Sequence, residues 1–229
     1  MLAISKYVIE DEGKLVRYNI NYPVIKHEET NDIIKHINQS IYEDIKAFKD
    51  IMRYEVDNSI FKISDHVFHA ITEYRVAFNH NNIISIPIEF SQLIGLYDIT
   101  YVNSYNYDIS LEKEIKLRDI FKTDVNYIDL INNKILEIIE NIDESCESIY
   151  DNEIVYSYES DGESIYNYDD FLGIDNNQIF YIEEDGITIS FSSYEMSERC
   201  SCFTEFKILF DEYKDYLSEY TINNIYKKD

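Results

Sequence analysis

Apolar residues recur every three or four positions in two stretches of the chain and every second position in several others. Between residues 29 and 52, Ile33, Ile37, Ile41, Ile45 and Phe48 follow the helical period, which predicts a helix over about 31–50. Thr30 is its expected N-cap, with Asn31 and Asp32 in the first turn. Between 116 and 140 a compact turn leads into a second helix, capped at Asp124 or Asn126. Its stripe is Tyr127, Leu130, Ile131, Ile135, Ile138 and Ile139. Each stripe needs a sheet or another helix to cover it.

Elsewhere the period is two. Val16, Tyr18 and Ile20 share one side of a strand that Pro23 limits, and residues 4–11 alternate weakly, as an edge strand does. Strands are predicted at 71–78, 83–90 and 96–109, the first two joined by His80-Asn81-Asn82. Ile84, Ile86, Ile88 and Phe90 point one way and Ser85, Pro87 and Glu89 the other. Pro87 has no ladder donor, so an edge or bulged strand is expected there. Tyr97, Ile99, Tyr101, Tyr105, Tyr107 and Ile109 keep one parity in the next strand. IFYIEEDGITISF, 179–191, reads as a hairpin whose Asp185-Gly186 turn relies on glycine at positive φ. It is expected to complete an antiparallel sheet with the three strands before it. FTEFKILF, 203–210, reads as one more strand, and the tail as a short helix or irregular segment. The fold class is α+β, mostly antiparallel sheet covered by two main helices.

Composition narrows the function. The chain has 229 residues, 45% of them hydrophobic, too apolar for a disordered acidic tail and long enough for one large domain or two small ones. Five glycines and two prolines leave no glycine-rich phosphate loop. The formal charge of -25 repels phosphate backbones and anionic lipid, and no basic patch offsets it, so nucleic acid is not an expected partner. A basic protein or a cation is electrostatically easier, and a glycan is the other partner expected. No run is long enough to span a membrane, and the first residues lack the apolar core of an export signal. As the sequence stands, a cytoplasmic protein is expected, unless an export segment was removed. Cys146, Cys200 and Cys202 are too few for a disulfide scaffold and lack an evident fourth ligand for zinc.

No catalytic set is evident. His66 and His69 would share a helix face and could hold a metal, but a surface or packing role is the expected one. Gly162 to Tyr166 has no closing glycine for a nucleophile elbow. A glycosidase pair of carboxylates cannot be picked out of 45 acids. The acidic, tyrosine-rich stretch 150–171 is the best candidate for binding. Tyr150, Tyr156, Tyr158, Tyr166 and Tyr168 offer broad contact area, or else cover a sheet edge. Asp161, Glu163, Asp169 and Asp170 are oxygen ligands of the kind calcium takes, although EF-hand spacing is missing. No other cofactor is expected.

The order of signals resembles a bacterial family. Tyr22-Pro23-Val24-Ile25 and the helix containing Ile37-Asn38 resemble the PdaC-like N-terminal region, also called domain of unknown function 4163. YNYDISLEKEIKLRDIF at 105–121, the helix to about 140 and IFYIEEDGITISFSSYE resemble the DUF3298 family, which includes the RsiV-like extracellular domain. The resemblance implies helices on an antiparallel sheet and an extracellular or envelope setting. It also implies no catalytic set here, since the deacetylase chemistry of PdaC proteins belongs to another domain. The division it implies is 1–65 for the PdaC-like region and 66–229 for the RsiV-like domain, packed as one compact unit. The expected function is therefore a non-enzymatic binding or sensing domain for a protein or cell-wall-related ligand. The alternatives are a glycan hydrolase using a carboxylate pair, or a structural accessory protein.

Overall fold

A parallel pair of strands organises the first half of the chain. In the computed structural model, β2 (Val16–Lys26) lies parallel to β3 (Phe68–Tyr74), and α1 (Asp32–Asn58) runs between them in sequence. The structure describes residues 1–12, 15–26, 31–58, 68–94, 97–144, 171–196 and 203–226. These form two compact units, 1–114 and 115–229.

In the first unit, β1 (Ala3–Glu12), β4 (Phe78–His80), β5 (Ile83–Ile94), β6 (Tyr97–Asp108) and β7 (Lys113–Glu114) join β2 and β3. The sheet has seven strands in the order β1-β2-β3-β5-β6-β7, with β4 also on β5. Every pair except β2–β3 is antiparallel. Residue 65, where the sequence divides the chain, falls between α1 and β3, two elements of this one unit.

The predicted isoleucine stripe is the core. Ile37, Ile41, Ile45, Phe48 and Met52 of α1 are all at most 1% exposed and pack in one cluster with Ile84, Ile86, Ile88 and Phe90 of β5. Burying each such side chain is worth about 1.5–3 kcal/mol. The stripe continues through Met52, so the helix runs past residue 50 to Asn58. Asn31, not Thr30, is the cap: its Oδ1 accepts from the Ile33 N–H at 2.8 Å. Thr30 lies outside the described residues.

The Pro87 strand is bulged but not at an edge. β5 has β6 on one side and β3 followed by β4 on the other. Between the pairs Tyr74↔Ile88 and Phe78↔Ser85, three residues oppose two, which is a bulge. Pro87 O accepts from Arg75 N at 3.3 Å across it. A strand residue turns its nitrogen and carbonyl to the same side, so the missing N–H faces the bulge and the β5–β6 ladder loses nothing. The turn after β4 uses Asn81 and Asn82 at φ 52° and 59°, the pattern of a two-residue hairpin.

The second unit holds α2 (Leu117–Ile120), α3 (Tyr127–Glu144), β8 (Phe180–Ile182), β9 (Gly186–Phe191), β10 (Thr204–Leu209) and α4 (Glu219–Asn224). The hairpin β8–β9 does not complete the large sheet; it joins β10 in a separate antiparallel sheet of three strands. Ile131, Ile135 and Ile139 of α3 are buried, and α3 packs on β10. Gly186 is also not needed for a positive φ, which among the glycines of described placement belongs to Gly173 alone. A Cβ on Gly186 would sit 2.4 Å from the Ile208 carbonyl oxygen of β10. Glycine is there to let two backbones approach.

Two effects of opposite sign therefore meet in Gly186→Ala. Lower entropy of the unfolded chain would stabilise by about 0.4–1 kcal/mol where alanine fits, whereas a clash with backbone costs about 1–3 kcal/mol. The expected outcome is a lower urea midpoint, and a raised midpoint would contradict the close approach.

Candidate functional site

The segment Leu117 to Phe121, the LRDIF of the sequence, is fastened to the start of α4. Phe121 forms an antiparallel bridge with Leu217, Ser218 N donates to Ile120 O at 2.9 Å, and Lys122 N donates to Tyr216 O at 2.9 Å. Ser218 Oγ donates to Asp119 O at 2.8 Å and accepts from Thr221 N at 3.1 Å, capping α4. Thr221 Oγ1, fully buried, donates to Ile120 O at 2.8 Å. Two distant stretches thus become neighbours, 117–126 and 213–221.

A groove of about 720 Å³ opens beside this junction. Lys122, Asp124, Val125, Asn126, Leu130 and Asn133 line it from the turn and first helical turns of α3. Tyr213, Asp215 and Tyr216 line it from the segment after β10. Asn126 caps α3: its Oδ1 accepts from Asp129 N at 3.5 Å and its Nδ2 donates to Asp129 Oδ2 at 2.5 Å. Of the two caps the sequence offers, Asn126 is used, which leaves Asp124 in the groove wall. Lys122 Nζ donates to the carbonyl oxygen of Asp215.

Tyr213 and Tyr216 stand with ring centroids 6.4 Å apart and planes at 48°. Tyr216 is 46% exposed, while Tyr213 is half-buried. Burial pushes the Tyr213 phenol above its ordinary value, with Lys134 working against the shift, so it is a neutral donor. Lys134 is held by Glu212 at 2.8 Å and Glu137 at 3.4 Å. The hydrogen bond to Glu212 raises its pKa. Two aromatic faces, two carboxylates, two amides and one ammonium suit a polyhydroxylated chain such as a glycan. Rings cover the C–H faces of sugars, and the polar groups reach hydroxyl and amide groups.

A second constellation lies in the first unit. Asp44 Oδ2 of α1 accepts from Tyr105 OH at 2.5 Å and from Asn103 Nδ2 at 3.0 Å, both on β6. Burial, then the bond to Asp44, raises Tyr105 far above the usual phenol range. Burial, then Asp44, pushes Tyr101 up to about 12. Tyr101 also stacks on Phe90 at 4.9 Å, and Phe90 meets Phe48 edge-on at 5.2 Å. Packed rings and a satisfied carboxylate mark this as a bolt between helix and sheet.

None of the binding residues predicted from the sequence is among those the structure describes. Tyr150, Tyr156, Tyr158, Tyr166, Tyr168, Asp161, Glu163, Asp169 and Asp170 are outside the described residues, as are His66 and all three cysteines. His69 lies in β3 rather than on a helix. Among the described residues no group of three or more His, Cys, Asp or Glu gathers as metal ligands would, and no helix is long and apolar enough to cross a membrane.

The family model described as Deacetylase PdaC matches residues 9–95. That described as Protein of unknown function (DUF3298) matches residues 118–211. The two matches fall in the order in which the sequence shows its two resemblances, the PdaC-like region first and the DUF3298 domain second. The chain is 28% identical over 125 residues to the peptidoglycan-N-acetylmuramic acid deacetylase PdaC of Bacillus subtilis (strain 168). That stretch is 52% of this chain and 24% of the deacetylase, so the chain spans about a quarter of the curated relative it matches. Two crystal structures share the fold. A DUF3298 family protein from Pseudomonas aeruginosa PAO1 has TM-score 0.61 at 10% identity, covering 100% of this chain and 98% of its own. A DUF3298 family member from Bacteroides fragilis NCTC 9343 has TM-score 0.59 at 14% identity, covering 96% and 95%.

These matches correct two expectations. A non-enzymatic binding or sensing role, and with it the expectation that no enzyme is present, gives way to an enzymatic reading, because the PdaC match is to a deacetylase. The cytoplasmic expectation gives way to a secreted or wall-associated reading, because that relative is named for peptidoglycan. The sequence reading rests on finding no catalytic spacing among the acids and histidines and on assigning the deacetylase chemistry of PdaC proteins to another domain.

The Tyr101 geometry has a consequence at high pH. A phenol whose folded pKa is raised adds stability that is complete below the unfolded value of 10.0 and is lost as pH rises toward about 12. Tyr101→Phe is expected to lose less stability than wild type over that range, by on the order of 1 kcal/mol once solvent screening is allowed for. Urea midpoints measured up the pH scale check this, and parallel curves for the two proteins would contradict it.

Proposed function

We propose that the protein works in the N-deacetylation of a cell-wall glycan, outside the cytoplasm, and that the groove of the second unit holds the glycan strand. The observation that carries this reading is the match over 125 residues to a peptidoglycan deacetylase. The groove supports it, since Tyr213 and Tyr216 supply stacking faces and Asp124, Asn126, Asn133 and Asp215 supply polar partners for sugar. The charge of -25 disfavours strongly anionic polymers and does not oppose the uncharged acetamido groups on which the reaction acts. In this reaction water cleaves the amide C–N bond of an N-acetyl sugar, leaving an amine on the sugar and releasing acetate.

A second reading is glycan hydrolysis by a carboxylate pair, favoured by Asp124 and Asp215 entering one groove from two separate segments. One incubation separates the two. The full chain with purified peptidoglycan is expected to release acetate above the buffer control, with sugars lighter by one acetyl group in mass spectra. New reducing ends without acetate would replace the first reading by the second. Neither product would overturn both. Tyr216→Ala is expected to lower the rate at limiting glycan by about fivefold or more, as the loss of one aromatic contact does.

A further inference from the structure

The groove carries more negative charge than a neutral sugar requires. Asp124 and Asp215 are both exposed carboxylates, able only to accept hydrogen bonds. Among the described residues that line the groove Lys122 is the one cation, and its Nζ donates to the Asp215 carbonyl. Asp129 stands one hydrogen bond away, on the Asn126 amide. Behind Tyr213, Lys134 is balanced by Glu212 and Glu137. Among the described residues no arginine lines the groove. A neutral acetamido group offers one N–H donor. The amine left by its removal is an ammonium near neutral pH and offers three.

We propose that this groove prefers the deacetylated, amine-bearing form of the glycan to the acetylated form. The inference rests on the glycan reading above and adds a direction to it: the site keeps hold of product. The tyrosine rings cover the sugar faces that both forms share, and the two carboxylates read the ammonium that only the product has. A strand held by its deacetylated sugars stays beside the acetylated sugars that follow it.

The test is calorimetric titration of the full chain with oligomers of glucosamine and of N-acetylglucosamine of equal length, at low and high salt. The glucosamine oligomer is expected to bind about fivefold or more tightly at low salt, with the difference shrinking as salt screens it. Asp124→Asn with Asp215→Asn is expected to remove the preference by weakening the glucosamine oligomer far more than the acetylated one. Tyr216→Ala is expected to weaken both oligomers alike. The overall charge is controlled by Glu55→Gln with Asp57→Asn on the exposed side of α1, outside the groove, which is expected to keep the preference. If that control loses as much as the groove variant, the whole chain's charge and not the groove attracts the amine, and the inference falls. Equal affinities for the two oligomers overturn the inference but leave the glycan reading standing, provided Tyr216→Ala weakens both. If neither oligomer binds, the glycan reading and the inference fall together.

Discussion

Two parallel strands cannot be joined by a tight turn, and the first unit is arranged around that constraint. β2 and β3 lie side by side in the same direction, so the chain must leave the sheet, cross it and return. α1 is the crossing, and its isoleucine stripe must rest on the sheet it crosses. Two polar ties hold the crossing in register. The Asn38 side chain accepts from Ile25 N at 2.9 Å and donates to Ile25 O at 3.0 Å, fixing the end of β2 to α1. Thr72 Oγ1, fully buried, accepts from Asn21 N at 3.0 Å and donates to Asn21 O at 2.8 Å, where the parallel pairing stops. Ile25 and Asn38, which carry part of the resemblance to the PdaC-like region, are therefore partners in one contact.

The second unit solves a different problem with the same economy of contacts. Its motif from Leu117 to Phe121 has no long helix to lie in. It is held instead by a bridge to Leu217 and by the hydroxyls of Ser218 and Thr221. That clamp brings the turn before α3 against the tyrosines after β10, and the groove is what remains between them. Site and scaffold are thus the same hydrogen bonds, so groove geometry follows from the fold and not from loop chance.

The acidity of the chain takes on meaning only when placed. Spread over the surface, 45 acids keep a protein soluble and repel polyanions. In the proposed reading, two of them beside an aromatic pair distinguish an amine from its acetylated parent.

The two long helices and most strands were legible in the sequence, because a period of 3.6 or 2 is a local property and burial of one face enforces it. Ile37 to Phe48 and Ile131 to Ile139 are buried as their spacing predicts. The choice of partner was not legible. Pro87 reads as marking either an edge or a bulge until strands are found on both sides of it. The 180–191 hairpin reads as part of the first sheet until β10 is found beside it. Gly186 reads as a turn glycine until the Ile208 carbonyl is found against it. The groove needs Lys122 and Tyr216 side by side, though 93 positions separate Lys122 from its partner Asp215. Local chemistry decides which elements form, whereas pairings across such distances are selected by the packing of the whole chain, and the candidate site is made of those pairings.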